Sequence, residues 1–335
     1  MITDDAKPKE IAKYTKKGIG YGLLSLIVLI TIVGVLYQAT SARDYIAETI
    51  VRVDLPLLLI GWLSMMAAIV VLGYRWKALL PKYDDVSGFF LGMCLAGALL
   101  LNYAVPGPFG EFAAAWFLHR KSSVSLPLGL ASIAVGRLIG LACAASGTVL
   151  FWGVLRPAPT AEVQWLLRGL VIGIALGLVL LIALFTIPKR LKPIVEGKWG
   201  KLGGLLCQFL DAITETTSLH QHSYFQAIFW SVVGHVFAAA GVWLSLLSIG
   251  DPSSFVGVVF SYLSSTCCGV VAFLFPGSQL AWDAIFASLL VSSAGYDLPG
   301  ATSAVLLLRG EQIALMICGA VPLLWLLRQE QQKLR

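Results

Sequence analysis

The chain has 335 residues, 58% hydrophobic and 13% charged, with a formal net charge of +6. Soluble domains carry roughly 25% charged residues, so this balance excludes a water-soluble enzyme or a nucleic-acid-binding module and points to a polytopic membrane protein. The six cysteines sit in apolar or interfacial sequence as small packing residues, Cys267 and Cys268 lack metal-ligand spacing, and the four histidines are scattered, so no metal or cofactor is expected.

In chain order, residues 1–18 form a polar, lysine-rich lead-in. The first apolar run, 19–37, is long enough to span and shows no clear cleavage site. An amphipathic connector, 38–54, leads to a second span at 55–74, followed by Arg75, Lys77 and Lys82. The next apolar helix, 86–104, ends at Asn102 and a Pro106-Gly107-Pro108 break, and the apolar piece after it, 110–118, covers only about 14 Å. That is half of a bilayer core, so a hairpin that enters and returns to one face is expected.

A third span is expected at 126–154 and a fourth at 164–187, followed by the basic cluster Lys189, Arg190, Lys192, Lys198 and Lys201. Residues 202–220 read as an interfacial amphipathic helix whose charged face carries Asp211, Glu215, His220 and His222. The fifth span falls at 223–249. A second broken segment follows, 254–275 and 279–294 around Pro276-Gly277-Ser278. The last span is 301–327, and 328–335 is a basic tail. Trp62, Trp76, Trp152, Trp165, Trp230, Trp243 and Trp325 fall mostly near span ends and read as a headgroup belt.

Two stretches about 170 residues apart repeat one pattern. The first has Pro106-Gly107, Glu111, Leu126-Pro127 and Arg137; the second has Pro276-Gly277, Asp283, Leu298-Pro299 and Arg309. The expected architecture is all-α, with six full spans and two re-entrant broken-helix hairpins arranged as inverted-topology repeats. The membrane domain is 19–327, with repeat one at about 19–154 and repeat two at about 164–327. With both termini cytoplasmic, 18 of the 24 Lys and Arg lie inside and four outside, leaving Arg137 and Arg309 in the membrane.

Those two arginines are the leading candidates for a site. A guanidinium at mid-depth is costly and points to function, and its planar fork suits phosphate. Each has an acid to rest on: Glu111 for Arg137, and Asp283 or Glu311 for Arg309. Glu311, two residues past Arg309, faces elsewhere and is the weakest of the acids. Half-helix starts after each break present free amides, which also suit anions. Asn102 can bond freed backbone, while Gly107, Gly110 and Gly277 permit the unusual conformations a break needs. No nucleotide-binding loop, zinc pair or serine elbow is present in the sequence.

The same residues carry a family resemblance. Arg75-Trp76-Lys77-Ala78-Leu79-Leu80, Asn102 with Pro106-Gly107 and Gly110-Glu111, Gly136-Arg137-Leu138, Pro276-Gly277 and Arg309 resemble the lysylphosphatidylglycerol synthase transmembrane, or flippase-like, family over about 20–327. The resemblance implies movement of lipids or lipid-linked sugars between leaflets. The second break departs from the family's Gly-rich turn and Glu, reading Gly277-Ser278-Gln279 with Asp283, and Phe109 is unusual in the first. The chain ends eight residues past its last span, so no aminoacyl-transferase domain is expected.

The function expected is translocation of an anionic phospholipid or a polyprenyl-phosphate-linked glycan in the inner (plasma) membrane, without enzymatic activity. The alternatives are a membrane-embedded lipid transferase and a non-transporting partner subunit. Expected partners are the lipid, the membrane, and a second copy of the chain or a lipid-modifying enzyme, with no nucleic acid.

Overall fold

The computed structural model describes residues 53–104, 109–155, 190–196, 200–250, 254–272 and 278–333, with isolated positions between 168 and 188. The first and fourth expected spans and both Pro-Gly breaks therefore lie outside the described residues, apart from those isolated positions. Every regular element described is helical.

Helix α1 is Leu55–Ala78, opened by Asp54, whose side chain accepts from Leu57 N at 3.1 Å, and by Pro56 in the first turn. Helix α2 is Gly88–Ala104, α3 is Phe109–Lys121 and α4 is Leu126–Leu155. Helix α5 is Gly200–Thr217 and α6 is Gln221–Leu247. Helix α7 is Phe255–Ala272, and α8 is Ser278–Leu289, continued by a π-helical turn at Leu290–Ala294. That turn stops at Gly295, whose φ of +84° is the left-handed conformation glycine takes freely. Helix α9 is Leu298–Lys333.

Among the described residues, four stretches are long and apolar enough to cross a membrane: Leu55–Ala78, Leu126–Val154, Gln221–Leu247 and Leu298–Pro322. They coincide with the expected second, third, fifth and last spans. Their outward faces are apolar, as in Leu59, Leu63, Phe225, Val236 and Val321, which suits a lipid surround and would be untenable in water.

The packing is close because small residues meet at the crossings. Gly61 on α1 lies against Gly241 and Ser245 on α6, and Gly234 on α6 meets Val71 and Leu72, so α1 and α6 run antiparallel. Gly73 on α1 touches the backbone of Gly88 and Gly92, and Gly319 on α9 touches Ala96 O on α2. Helices α4 and α6 run parallel, with Ala227 packed near Val135 and Ile139, and Ala239 near Ala144 and Ala145. Several hydroxyls buried in this packing return to their own helix: Thr148, Ser261 and Ser265 each donate to the carbonyl four residues back.

The shorter helices occur as two packed pairs, α2 with α3 and α7 with α8. In the first pair, the start of α2 and the end of α3 are tied by Ser123 N donating to Asp85 Oδ2 at 3.1 Å, at the end of the bundle where α1 finishes and α4 begins. In the second, Gly257 near the start of α7 lies against Ser293 and Ala294. This is the opposite end, where Asp54 N donates to Ser248 O at 2.8 Å and ties the start of α1 to the end of α6. Helix α3 is longer than the apolar stretch alone, because His119, Arg120 and Lys121 continue the helix; at 13 residues it covers about 20 Å, still short of a bilayer core.

Helix α5 is amphipathic as expected. It buries Leu210, Ala212 and Ile213, and exposes Asp211, which accepts from Lys192 Nζ at 2.6 Å. That hydrogen bond raises the Lys192 ammonium above its ordinary range. Trp76 departs from the expected headgroup belt. It is 2% exposed and its Nε1 donates to Ser132 Oγ at 2.8 Å, so it joins α1 to α4 in the interior. Sequence position near a span end could not reveal this, because the indole turns inward to the one hydroxyl that satisfies it.

Candidate functional site

Arg137 lies eleven residues past the start of α4 and Arg309 eleven past the start of α9. At 1.5 Å per residue each is about 16 Å along its span, near the middle of a core about 30 Å thick. Each guanidinium is met by an acid on the second helix of the pair preceding its own span. Arg137 Nη2 pairs with Glu111 Oε1 in the first turn of α3. Arg309 Nε donates to Asp283 Oδ1 and Oδ2 at 2.9 and 3.0 Å, and its Nη2 donates to Oδ1 at 2.6 Å. Acid and arginine are 26 residues apart in both pairs.

The pairs differ in their surroundings. The Arg309 side chain is 3% exposed. Its Nη1 donates to Gln312 Oε1, and its guanidinium lies 5.9 Å from the Trp282 ring centroid, with Trp282 stacked on Phe286. This arginine is held on several sides by charge, amide and π face. The Arg137 side chain is 44% exposed, while Glu111 beneath it is 8% exposed. One pair is therefore sealed and the other open.

Glu311 turns away from Arg309, as the two-residue spacing requires. It is 6% exposed, and Ser245 Oγ on α6 donates to its Oε1 at 2.7 Å while also lying 2.9 Å from Gly241 O. Its Oε2 is buried without a hydrogen-bond partner among the described residues.

Of the remaining expected site residues, Gly110 is buried in the first turn of α3 beside Glu111. Asn102 belongs to α2, with its side chain outside the described residues, and Gly107 and Gly277 lie outside them altogether. No group of three or more potential metal ligands occurs among the described residues.

Sequence reasoning missed Arg75. It counts there as one of the basic residues following a span, but α1 continues to Ala78 and the side chain reaches α4. A Cβ at Gly136 would fall 3.4 Å from Arg75 Nε, and one at Gly140 2.6 Å from Nη1. His235 of α6 meets the same place, its Nε2 lying 2.9 Å from Gly140 O. Beside its place in the family resemblance, the sequence signal for this contact was the run of small residues at Gly136, Gly140 and Cys143, a stripe that admits a neighbouring side chain.

The fold and the paired mid-depth charges define a multi-pass helical membrane protein with a polar centre. The chain belongs to the family described as the lysylphosphatidylglycerol synthase TM region, whose model matches residues 22–320. It is thus a membrane protein of a family connected with lipid handling. Comparison with curated proteins and with solved structures found no match.

Proposed function

We propose that this chain is a non-enzymatic translocase that moves an anionic phospholipid, or a polyprenyl-phosphate-linked glycan, between the leaflets of the inner (plasma) membrane. The observation that carries this reading is the pair of mid-depth arginines, each joined to an acid 26 residues earlier on a short helix. A guanidinium in hydrocarbon is stable only when paired, and a phosphate can replace a carboxylate on it with the same fork geometry. Glu111 and Asp283 then receive the arginines when substrate leaves.

The same reading takes the two short-helix pairs as re-entrant hairpins in inverted-topology repeats. In its support, their ends lie at opposite ends of the bundle. The packing also exchanges partners: α2 of the first pair packs on α9, and α7 of the second packs on α4. Broken helices in corresponding positions of two repeats flank the substrate site in transporters of this kind. Cytoplasmic termini follow from the excess of Lys and Arg on that side; withdrawing Arg75 from the count leaves the excess intact.

Translocation of a fluorescent phosphatidylglycerol in reconstituted vesicles tests the reading. Arg137→Lys keeps the charge but loses the fork and should slow transport, and Arg137→Ala should abolish it. The double variant Arg137→Ala, Glu111→Ala removes both charges. If Arg137 holds substrate, the double variant recovers stability while transport stays lost. Full transport by the double variant would reduce the pair to packing and overturn the assignment.

A further inference from the structure

We infer that Arg75 is a second guanidinium of the anion site at Arg137, and that the apolar groove beside it takes a chain of the same lipid. The inference rests on the translocation reading for the ligand's class, and on separate observations for the site.

Arg75 Nε is buried and has no hydrogen-bond partner among the described residues. The ion pairs described include none to Arg75. Its guanidinium lies on the Gly136–Gly140 face of α4, within electrostatic reach of Arg137. Two guanidiniums thus stand near each other, and Glu111 already pairs with Arg137. A partly buried cation next to a like charge, with its Nε unpartnered among the described residues, is unfavourable. Two glycines leave it room where any Cβ at Gly140 would displace it. A phosphodiester bound here supplies the missing negative charge and can accept from both forks.

What lies alongside is apolar. A cavity of about 810 Å³ opens between α4, α6 and α7, running from Val135 to Phe151 on α4 and from Tyr224 to Ala240 on α6. Sixteen residue-to-residue steps of helix give it a length of about 24 Å, longer than one leaflet's half of the hydrocarbon core. Its wall is continuous with the arginine site. Cys143 lines the groove and lies within electrostatic reach of Arg75, and His235 lines it while meeting Gly140 O at 2.9 Å. Val232 and Val236, both exposed, leave the groove open to the surrounding lipid. A deep cation adjoining a long apolar groove has the two-part chemistry of an anionic lipid: phosphate on the arginines, acyl chain along α4 and α6.

The test is binding to the delipidated full chain in neutral detergent, read by native mass spectrometry. The three probes are phosphatidylglycerol, diacylglycerol (chains without phosphate) and glycerol phosphate (phosphate without chains). Phosphatidylglycerol should bind at least tenfold more tightly than either part. Arg75→Gln should lower its binding about tenfold, to the level of diacylglycerol, with the unfolding midpoint unchanged or raised, because a like charge has gone. Val232→Trp, which fills the groove from an exposed position, should weaken phosphatidylglycerol and leave glycerol phosphate unaffected. Glycerol phosphate binding as tightly as phosphatidylglycerol would overturn the groove's part, and diacylglycerol doing so would overturn the arginines' part. Unchanged binding in Arg75→Gln, or a fall in its unfolding midpoint, would make Arg75 structural and overturn the inference. Binding by the wild type without vesicle translocation would overturn the transport reading alone. Translocation that Arg75→Gln leaves intact would overturn this site alone.

Discussion

Arg137 and Arg309 occupy equivalent places in the sequence, yet one side chain is 44% exposed and the other 3%. The difference sets what each substitution costs. Arg309→Ala strands Asp283 in a site sealed by Trp282 and Gln312, and breaking such a pair costs about 3–5 kcal/mol. Arg137→Ala leaves Glu111 beside a more open space and should cost clearly less. Chemical unfolding in detergent should rank the two in that order, and equal losses would show that exposure does not govern the pairs. Glu311 makes a separate case. Its neighbour Ser245 faces two acceptors, and one hydroxyl proton serves one of them at a time. Glu311→Gln brings an amide that can donate to Ser245 Oγ, so it should fold as the parent does. Glu311→Leu should strand nothing charged but lose the hydrogen bond, at about 1 kcal/mol, measured in the same unfolding assay.

At the scale of elements, the bundle is held by close helix crossings rather than by long side chains. Gly61 with Gly241, and Gly319 with Ala96 O, leave no space for a Cβ. Gly319→Val should therefore push α9 from α2, a cost of about 1–3 kcal/mol for overpacking, and should weaken a disulfide engineered across that crossing. Gly204 on α5 meets nothing within 4 Å, and Gly204→Val should be close to neutral by the same measure. The short-helix pairs were legible from the Pro-Gly breaks inside apolar runs, and so were the four described spans, because apolar length alone decides whether a helix can cross. The reach of α3 to Lys121 was not legible. Its last turn is basic, and charge in a sequence marks the limit of the apolar run, not the limit of the helix.

For the whole molecule, the two pairs end at opposite ends of the bundle, which predicts where labels will reach. Single cysteines placed at Ser122 and at Ser293 should react with an impermeant maleimide from opposite sides of oriented vesicles. Reaction of both from one side would remove the inverted-repeat reading. The sequence by itself determined that the chain is a helical membrane protein, where its described spans fall, and that Glu111 could meet Arg137, while for Arg309 it left Asp283 and Glu311 open. Those are matters of apolar length and of local spacing, which the chain carries in one dimension. Only the tertiary structure decided that Arg309 is sealed while Arg137 is open, that Trp76 points inward to Ser132, and that Arg75 leaves its own helix for the glycine face of α4. Each depends on which side chains a neighbouring helix brings to the same depth, and helices more than a hundred residues apart, such as α4 and α7, come together only when the bundle closes.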